Sequence, residues 1–136
     1  GYRRVHVEKD TKIEVSFAAP AKFVYANPQV RADSGKAAIV RGPLVYCLEE
    51  IDNFQNLPAI FVDTDAPLRE EKSDLFGGII TVKAKGKKIV ESSVSDSLYS
   101  GQKPQLEDAE LTAIPYPYWN NRGEGEMLVW MKELRP

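Results

Sequence analysis

Few residues of this chain are of a type that does chemistry: one histidine, His6, one cysteine, Cys47, and twenty acids. A serine or cysteine nucleophile would need His6 as its base. His6 alternates with Val5 and Val7, which is the setting of an exposed strand histidine rather than of a catalytic one. Cys47 sits inside Leu44-Val45-Tyr46-Cys47-Leu48, the most apolar run of the chain. A buried, inert thiol is expected there, because a reactive thiolate needs a cationic and accessible setting. One histidine and one cysteine are too few soft ligands for a zinc site unless carboxylates complete it, and a single cysteine forms no internal disulfide. Two carboxylates facing across a cleft can hydrolyse a glycoside, so the acidic groups matter. Glu49, Glu50 and Asp52 end a strand, Glu70 and Glu71 lie in a charged run, and Glu124 and Glu126 flank Gly125. Each set reads as solvated charge at a strand end or edge. Asp63-Thr64-Asp65 begins like a calcium loop but meets Pro67 where a third acid and then glycine belong. Gly123-Glu124-Gly125 lacks the third glycine and following helix of a dinucleotide fingerprint. No catalytic residue and no metal ligand is therefore assigned.

The one elaborate stretch is an aromatic loop. Tyr116, Tyr118 and Trp119 stand beside Asn120, Asn121 and Arg122, between two apolar segments that read as strands. A plain hairpin is satisfied by two residues such as Asn-Gly, so these six are there for something else. Three uses fit their chemistry. They could stack on a sugar and bond its hydroxyls, as in a carbohydrate-binding module using Trp119 and the neighbouring tyrosines. They could anchor another domain, with the planar Arg122 guanidinium pairing across the interface. They could also fold back on their own domain.

The elements that must position this loop are strands. Val5 and Val7, then Ile13, Val15 and Phe17, alternate with polar residues around Asp10-Thr11, the pattern of an opening hairpin. Val24-Tyr25, Ala37 to Val40, Leu44 to Leu48, Ala59 to Val62, Gly78 to Lys83, Ala109 to Ile114 and Glu126 to Glu133 continue the series. Leu44 to Leu48 reads as a central strand covered on both faces, where a charge at Val45 is expected to be badly tolerated. Lys85-Gly86-Lys87-Lys88 reads as a hairpin tip. Ser92 to Gln105 reads as a long surface loop anchored by Leu98 and Tyr99, and Leu106 to Glu110 as room for one helical turn. About nine short strands separated by Gly/Pro turns predict an all-β fold, a two-sheet antiparallel β-sandwich of jelly-roll type.

At 136 residues, 43% hydrophobic and 28% charged, the chain has the size and composition of a single globular domain, residues 1–136. Such a domain buries roughly two-thirds of its unfolded surface. No apolar run approaches the ~20 residues of a membrane-spanning helix. A net charge of −2 with mixed signs gives no footprint for nucleic acid. The chain opens on what reads as a strand, without initiator Met or a secretory leader, so a fragment of a longer multidomain protein is expected.

Two blocks carry a family resemblance. Ile114-Pro115-Tyr116, Trp119, Asn121-Arg122-Gly123, Gly125-Glu126-Met127 and Val129-Trp130 resemble the C-terminal signature of glycoside hydrolase family 127, the β-L-arabinofuranosidase family. Tyr25-Ala26-Asn27-Pro28, Val30-Arg31-Ala32-Asp33 and Arg41-Gly42-Pro43-Leu44-Val45-Tyr46-Cys47-Leu48-Glu49 are similar to the block that opens that family's C-terminal sandwich. Pro117 and Tyr118 depart from it, standing where the family more often has a tyrosine followed by a small residue, and Asn120 replaces a usual alanine. The resemblance implies a non-catalytic accessory sandwich that packs on a helical catalytic domain of the same polypeptide. That domain would hold the cysteine nucleophile, the general-acid glutamate and a zinc bound by cysteines and a glutamate; Cys47 matches none of these, and no cofactor is expected in this chain.

Overall fold

A computed structural model describes residues 2–134, and within them nine strands form one hydrogen-bonded all-β assembly. They are β1 (Ala21–Tyr25), β2 (Lys36–Arg41), β3 (Leu44–Glu49), β4 (Ile60–Val62), β5 (Arg69–Ser73), β6 (Ile79–Ile89), β7 (Leu106–Pro115), β8 (Met127–Leu128) and β9 (Met131–Glu133). β2 and β3 form a tight hairpin with Arg41 opposite Leu44. The two residues between are Gly42-Pro43, and Gly42 takes φ 56°, the left-handed value that matches hairpin twist.

Pairings then close on themselves. β3 pairs β7, β7 pairs β6, β6 pairs β4, β4 pairs β9 and β9 returns to β2. β1, β5 and β8 extend the ring on β2, β6 and β3. The sandwich thus has hydrogen bonding running continuously from one sheet to the other, which leaves few bare edges. One pairing departs from the antiparallel expectation: β4 and β9 run parallel, with Phe61 opposite Lys132. The β8–β9 segment passes β3 first and then crosses to β4, and that crossing sets the direction.

The inner faces share one core. Ile39, Tyr46, Leu48, Leu57, Ile60, Val62, Leu111 and Met131 are among its buried members. Tyr46 keeps its hydroxyl satisfied by donating to the Ile80 carbonyl at 2.9 Å, as a buried phenol requires. A second, smaller cluster on the other face of β3 joins Cys47, Ile79 and Ile114 to Leu75, Tyr118, Trp119, Met127 and Val129. β3 is therefore covered on both faces from Tyr46 onward. Its first two residues are not, and Val45 is 42% exposed, so a charge there can reach water, contrary to the intolerance expected from the apolar run.

Several other local expectations are overturned. Lys85 to Lys88 is no hairpin tip but the continuation of β6, which from Lys85 to Ile89 pairs with Leu106 to Glu110, strand and not helix. Gly86 belongs inside the strand because a Cβ there would lie 2.4 Å from the Phe61 carbonyl oxygen. Leu98 and Tyr99 do not anchor their loop, being almost fully exposed; it is tied instead by the Ser93 hydroxyl, which donates to Val90 O and accepts from Gln105 N–H. Glu126 to Glu133 breaks into β8 and β9. The expected opening hairpin makes no strand within residues 2–20, and Gly1 lies outside the described residues.

Candidate functional site: the aromatic loop and its acidic floor

β7 ends at Pro115, whose fixed φ feeds a single 3-10 turn over Tyr116–Tyr118, closed by Trp119 N–H donating to Tyr116 O at 3.2 Å. This turn leaves its first two side chains, Tyr116 and Pro117, exposed and sends the next two inward. Tyr118 and Trp119 turn inward onto the second cluster, and the Tyr118 ring stacks on Phe76 with centroids 4.8 Å apart and planes 17° from parallel. Tyr116 stays 41% exposed, tilted against Trp119 at 6.4 Å. Phe76 itself sits at φ 53° ahead of Gly77 and Gly78, both also at positive φ. A bulky residue in that region is strained, and here the ring is held between Tyr118 and the Arg122 guanidinium, 5.8 Å from its centroid.

The amides shape the loop from within. Asn120 takes a left-handed φ of 61°, a conformation asparagine tolerates better than most residues. Its N–H donates to Glu49 Oε1 at 2.7 Å. The Asn121 side chain donates to the carbonyls of Tyr118 and Trp119 at 3.0 and 3.1 Å, bracing the turn it follows. Both remain exposed.

Arg122 turns inward. Its Nη1 donates to Asp52 Oδ1 at 2.8 Å, and its Nη2 to Glu49 Oε2 at 2.5 Å and to Asp52 Oδ2. Asp52 largest, and then Glu49, push the guanidinium pKa upward against the cost of burial, so Arg122 is permanently charged. Glu49 is the most buried acid of the described residues at 5% exposure. The planar fork is thus already engaged, bidentate, with this domain's own carboxylates. Below it, Glu50 Oε2 accepts from Glu126 N–H at 3.0 Å and Glu126 Oε2 from Leu57 N–H at 2.6 Å. Gly125 leaves room for this, since a Cβ would lie 3.2 Å from Glu50 Cβ.

The acids that read as solvated strand ends are therefore the floor on which the loop is built. Spacing in the sequence gave no sign of it, because Glu49 and Arg122 are 73 positions apart. Asn53 was missed for the same reason. Its side chain donates to Glu49 O and Thr112 O and accepts from Thr112 N–H, acting as an extra rung between β3 and β7.

Little room is left between the loop and its floor. The hollow among Glu49, Trp119, Asn120 and Glu126 measures about 10 Å³, the volume of one water and far below that of a sugar ring. Burial first, then the Glu49 charge, pushes the Cys47 thiol up to about 12, so it is protonated and enclosed as expected. Among the described residues no three His, Cys, Asp or Glu side chains are placed to hold a metal, so these residues do not fit a zinc. Asp63 caps its own turn, Oδ1 accepting from the N–H groups of Asp65 and Ala66.

Residues 21–132 match the profile described as the glycoside hydrolase family 127 C-terminal domain. The chain belongs to that family. A curated relative from Bifidobacterium longum subsp. longum, a non-reducing end β-L-arabinofuranosidase, is 34% identical over 138 residues, covering 96% of this chain and 21% of the relative. A family 127 β-L-arabinofuranosidase from Geobacillus stearothermophilus T6 superposes with TM-score 0.82 and 44% identity over 85% of this chain and 18% of that one. A second family 127 β-arabinofuranosidase superposes with TM-score 0.71 and 34% identity over 85% and 17%. The chain spans about a fifth of the length of these family 127 relatives.

Proposed function

We propose that this chain is the non-catalytic accessory sandwich of a β-L-arabinofuranosidase-like glycoside hydrolase, packed on the catalytic domain of the same polypeptide and stabilising it. The observation that carries the reading is the superposition of residues from this sandwich, at TM-score 0.82, on 18% of a whole β-L-arabinofuranosidase. The chemistry of the chain agrees with it. Its one thiol is enclosed in the second cluster, and its most buried acids are committed to Arg122 and to the loop backbone.

In this reading the nucleophile, the acid and any zinc belong to the catalytic domain. The aromatic loop is a rigid prow that its acidic floor fixes to β3, and the exposed Tyr116 and Phe76 edges are the part offered to that domain. Aromatic edges on a stiff frame are what interfaces use, since little side-chain entropy is lost on contact. Removing residues 21–136 from the full-length gene product tests the proposal. Loss of solubility, or a lower melting temperature of the remaining polypeptide, is expected; unchanged melting would count against a stabilising role.

A further inference from the structure

One mouth of the sandwich is left open. By the two-residue period of a strand, the inner face of β6 runs Val82, Ala84, Gly86, Lys88, and that of β7 runs back from Leu111 through Ala109 to Glu107. Val82, Ala84 and Leu111 are buried core. The last rung is instead an ion pair, Lys88 Nζ to Glu107 Oε1 at 3.2 Å, and Lys88 Nζ also lies 4.3 Å from the centroid of the Phe54 ring. A core face that ends in charge needs water or a polar ligand against it. There the structure has a groove of about 840 Å³, lined by Lys88, Glu107 and Phe54 among others. That volume lies within the range of small-molecule sites and far exceeds the hollow beneath the aromatic loop.

Both banks of the groove are pinned. On one side stands the 3-10 turn Leu57–Ala59 with the buried Leu57, whose N–H donates to Glu126 Oε2 at 2.6 Å, while Ala59 N–H donates to Asn56 O at 2.8 Å. On the other, Val90 N–H donates to Gln105 O at 2.9 Å, joining the two ends of the loop that brings the exposed Val94 and Pro104 to the groove. The amides on this frame are unengaged. The Gln55 and Asn56 side chains have no hydrogen-bond partner among the described residues, and Asn56 is held at φ 60°, in the left-handed region. Amides on a fixed backbone beside an apolar wall suit a ligand that has an apolar ring face and neighbouring hydroxyls. One lysine against Glu91 and Glu107 offers no net positive charge to a phosphate or sulfate, and the amides interrupt the apolar surface that a lipid chain needs. We infer that this groove binds a neutral saccharide, with Gln55 and Asn56 bonding its hydroxyls and Val94 and Pro104 lying against its ring face. That the saccharide is built of arabinose rests on the arabinofuranosidase-like reading; the groove itself does not.

The test is affinity electrophoresis in native gels holding a soluble linear arabinan or a soluble mixed-linkage glucan. It is run on this chain and on the full-length gene product, each with and without Gln55→Ala, alone or together with Asn56→Gly. Glycine keeps the left-handed turn while removing the amide, and Gln55→Ala alone spares the turn altogether; melting temperatures check that the fold is retained. Retardation by arabinan is expected for both polypeptides, and the double substitution should weaken the affinity about tenfold or more, as the loss of two hydrogen-bonding side chains does. Undiminished affinity in the double variant would put the sugar elsewhere, and retardation confined to the short chain would mean that the catalytic domain covers the groove. Either result overturns the inference, as does no retardation in any gel. Retardation by the glucan alone, lost in the double variant, keeps the groove and removes the arabinose assignment. None of these results bears on the stabilising role, which the melting of the truncated gene product decides.

Discussion

Replacing Arg122 by alanine removes the tie between the aromatic loop and its floor, and the cost can be worked from the contacts. Three hydrogen bonds to carboxylates disappear, two to Asp52 and one to Glu49. Glu49 is then left with the Asn120 N–H as its only side-chain partner, in a place where its side chain is 7% exposed. Breaking a buried pair from one side costs about 3–5 kcal/mol, mostly for the stranded charge. Asp52 is 19% exposed and can rehydrate, which puts the expectation at the lower end, about 3 kcal/mol. An unfolding entropy of roughly 2 cal/mol/K per residue converts this to a melting temperature lowered by about 10 °C. The assay is reversible thermal unfolding followed by circular dichroism, on Arg122→Ala, Glu49→Gln and the double variant. Because the penalty belongs to the uncompensated Glu49 charge, the double variant should melt well above the temperature that adding the two losses gives. A shift of under about 2 °C for Arg122→Ala, or strict additivity, would refute a floor held by charge pairing.

Three further perturbations address other parts of the fold. Gly86→Ala places a Cβ against the Phe61 backbone, which cannot swing aside, so a loss of about 3 kcal/mol or failure to express in soluble form is expected. Asn53→Ala strips the extra rung from Thr112 and Glu49 and should cost about 2–3 kcal/mol in denaturant melts. Cys47 should resist thiol reagents at about pH 8 until the chain is unfolded. Its folded pKa of about 12 exceeds the ordinary 9.0, so the unfolded chain loses this proton first. Stability is then full below about pH 9 and falls as pH rises towards 12, a slope that Cys47→Ala should remove.

The sequence was most readable where one pattern decided the structure. Tyr46 to Leu48 is apolar without interruption, and both its faces are covered. Lys85 to Lys88 misled because its charges are paired across the strand, Lys87 with Asp108 at 2.7 Å and Lys88 with Glu107 at 3.2 Å. Cross-strand ion pairs give a strand the polarity of a turn, and Gly86 added to the impression for a reason that lies in β4. In the aromatic loop the residue types were visible, but not their direction. Which of Tyr116, Tyr118 and Trp119 turn inward depends on Phe76 and Cys47, and where Arg122 points depends on Glu49 and Asp52. Such partners are fixed by the ring of strand pairings and not by local spacing. The first hairpin misled in a different way, since its alternation is genuine but its apolar residues stay exposed and no strand forms within residues 2–20.

The most direct test of the accessory role is release of L-arabinose from a β-L-arabinofuranoside by purified residues 1–136, beside the full-length gene product. No release above buffer by the short chain, with release by the full-length product, is the predicted result. Release by the short chain alone would contradict a non-catalytic domain and would require a site that the enclosed thiol and the engaged acids do not supply.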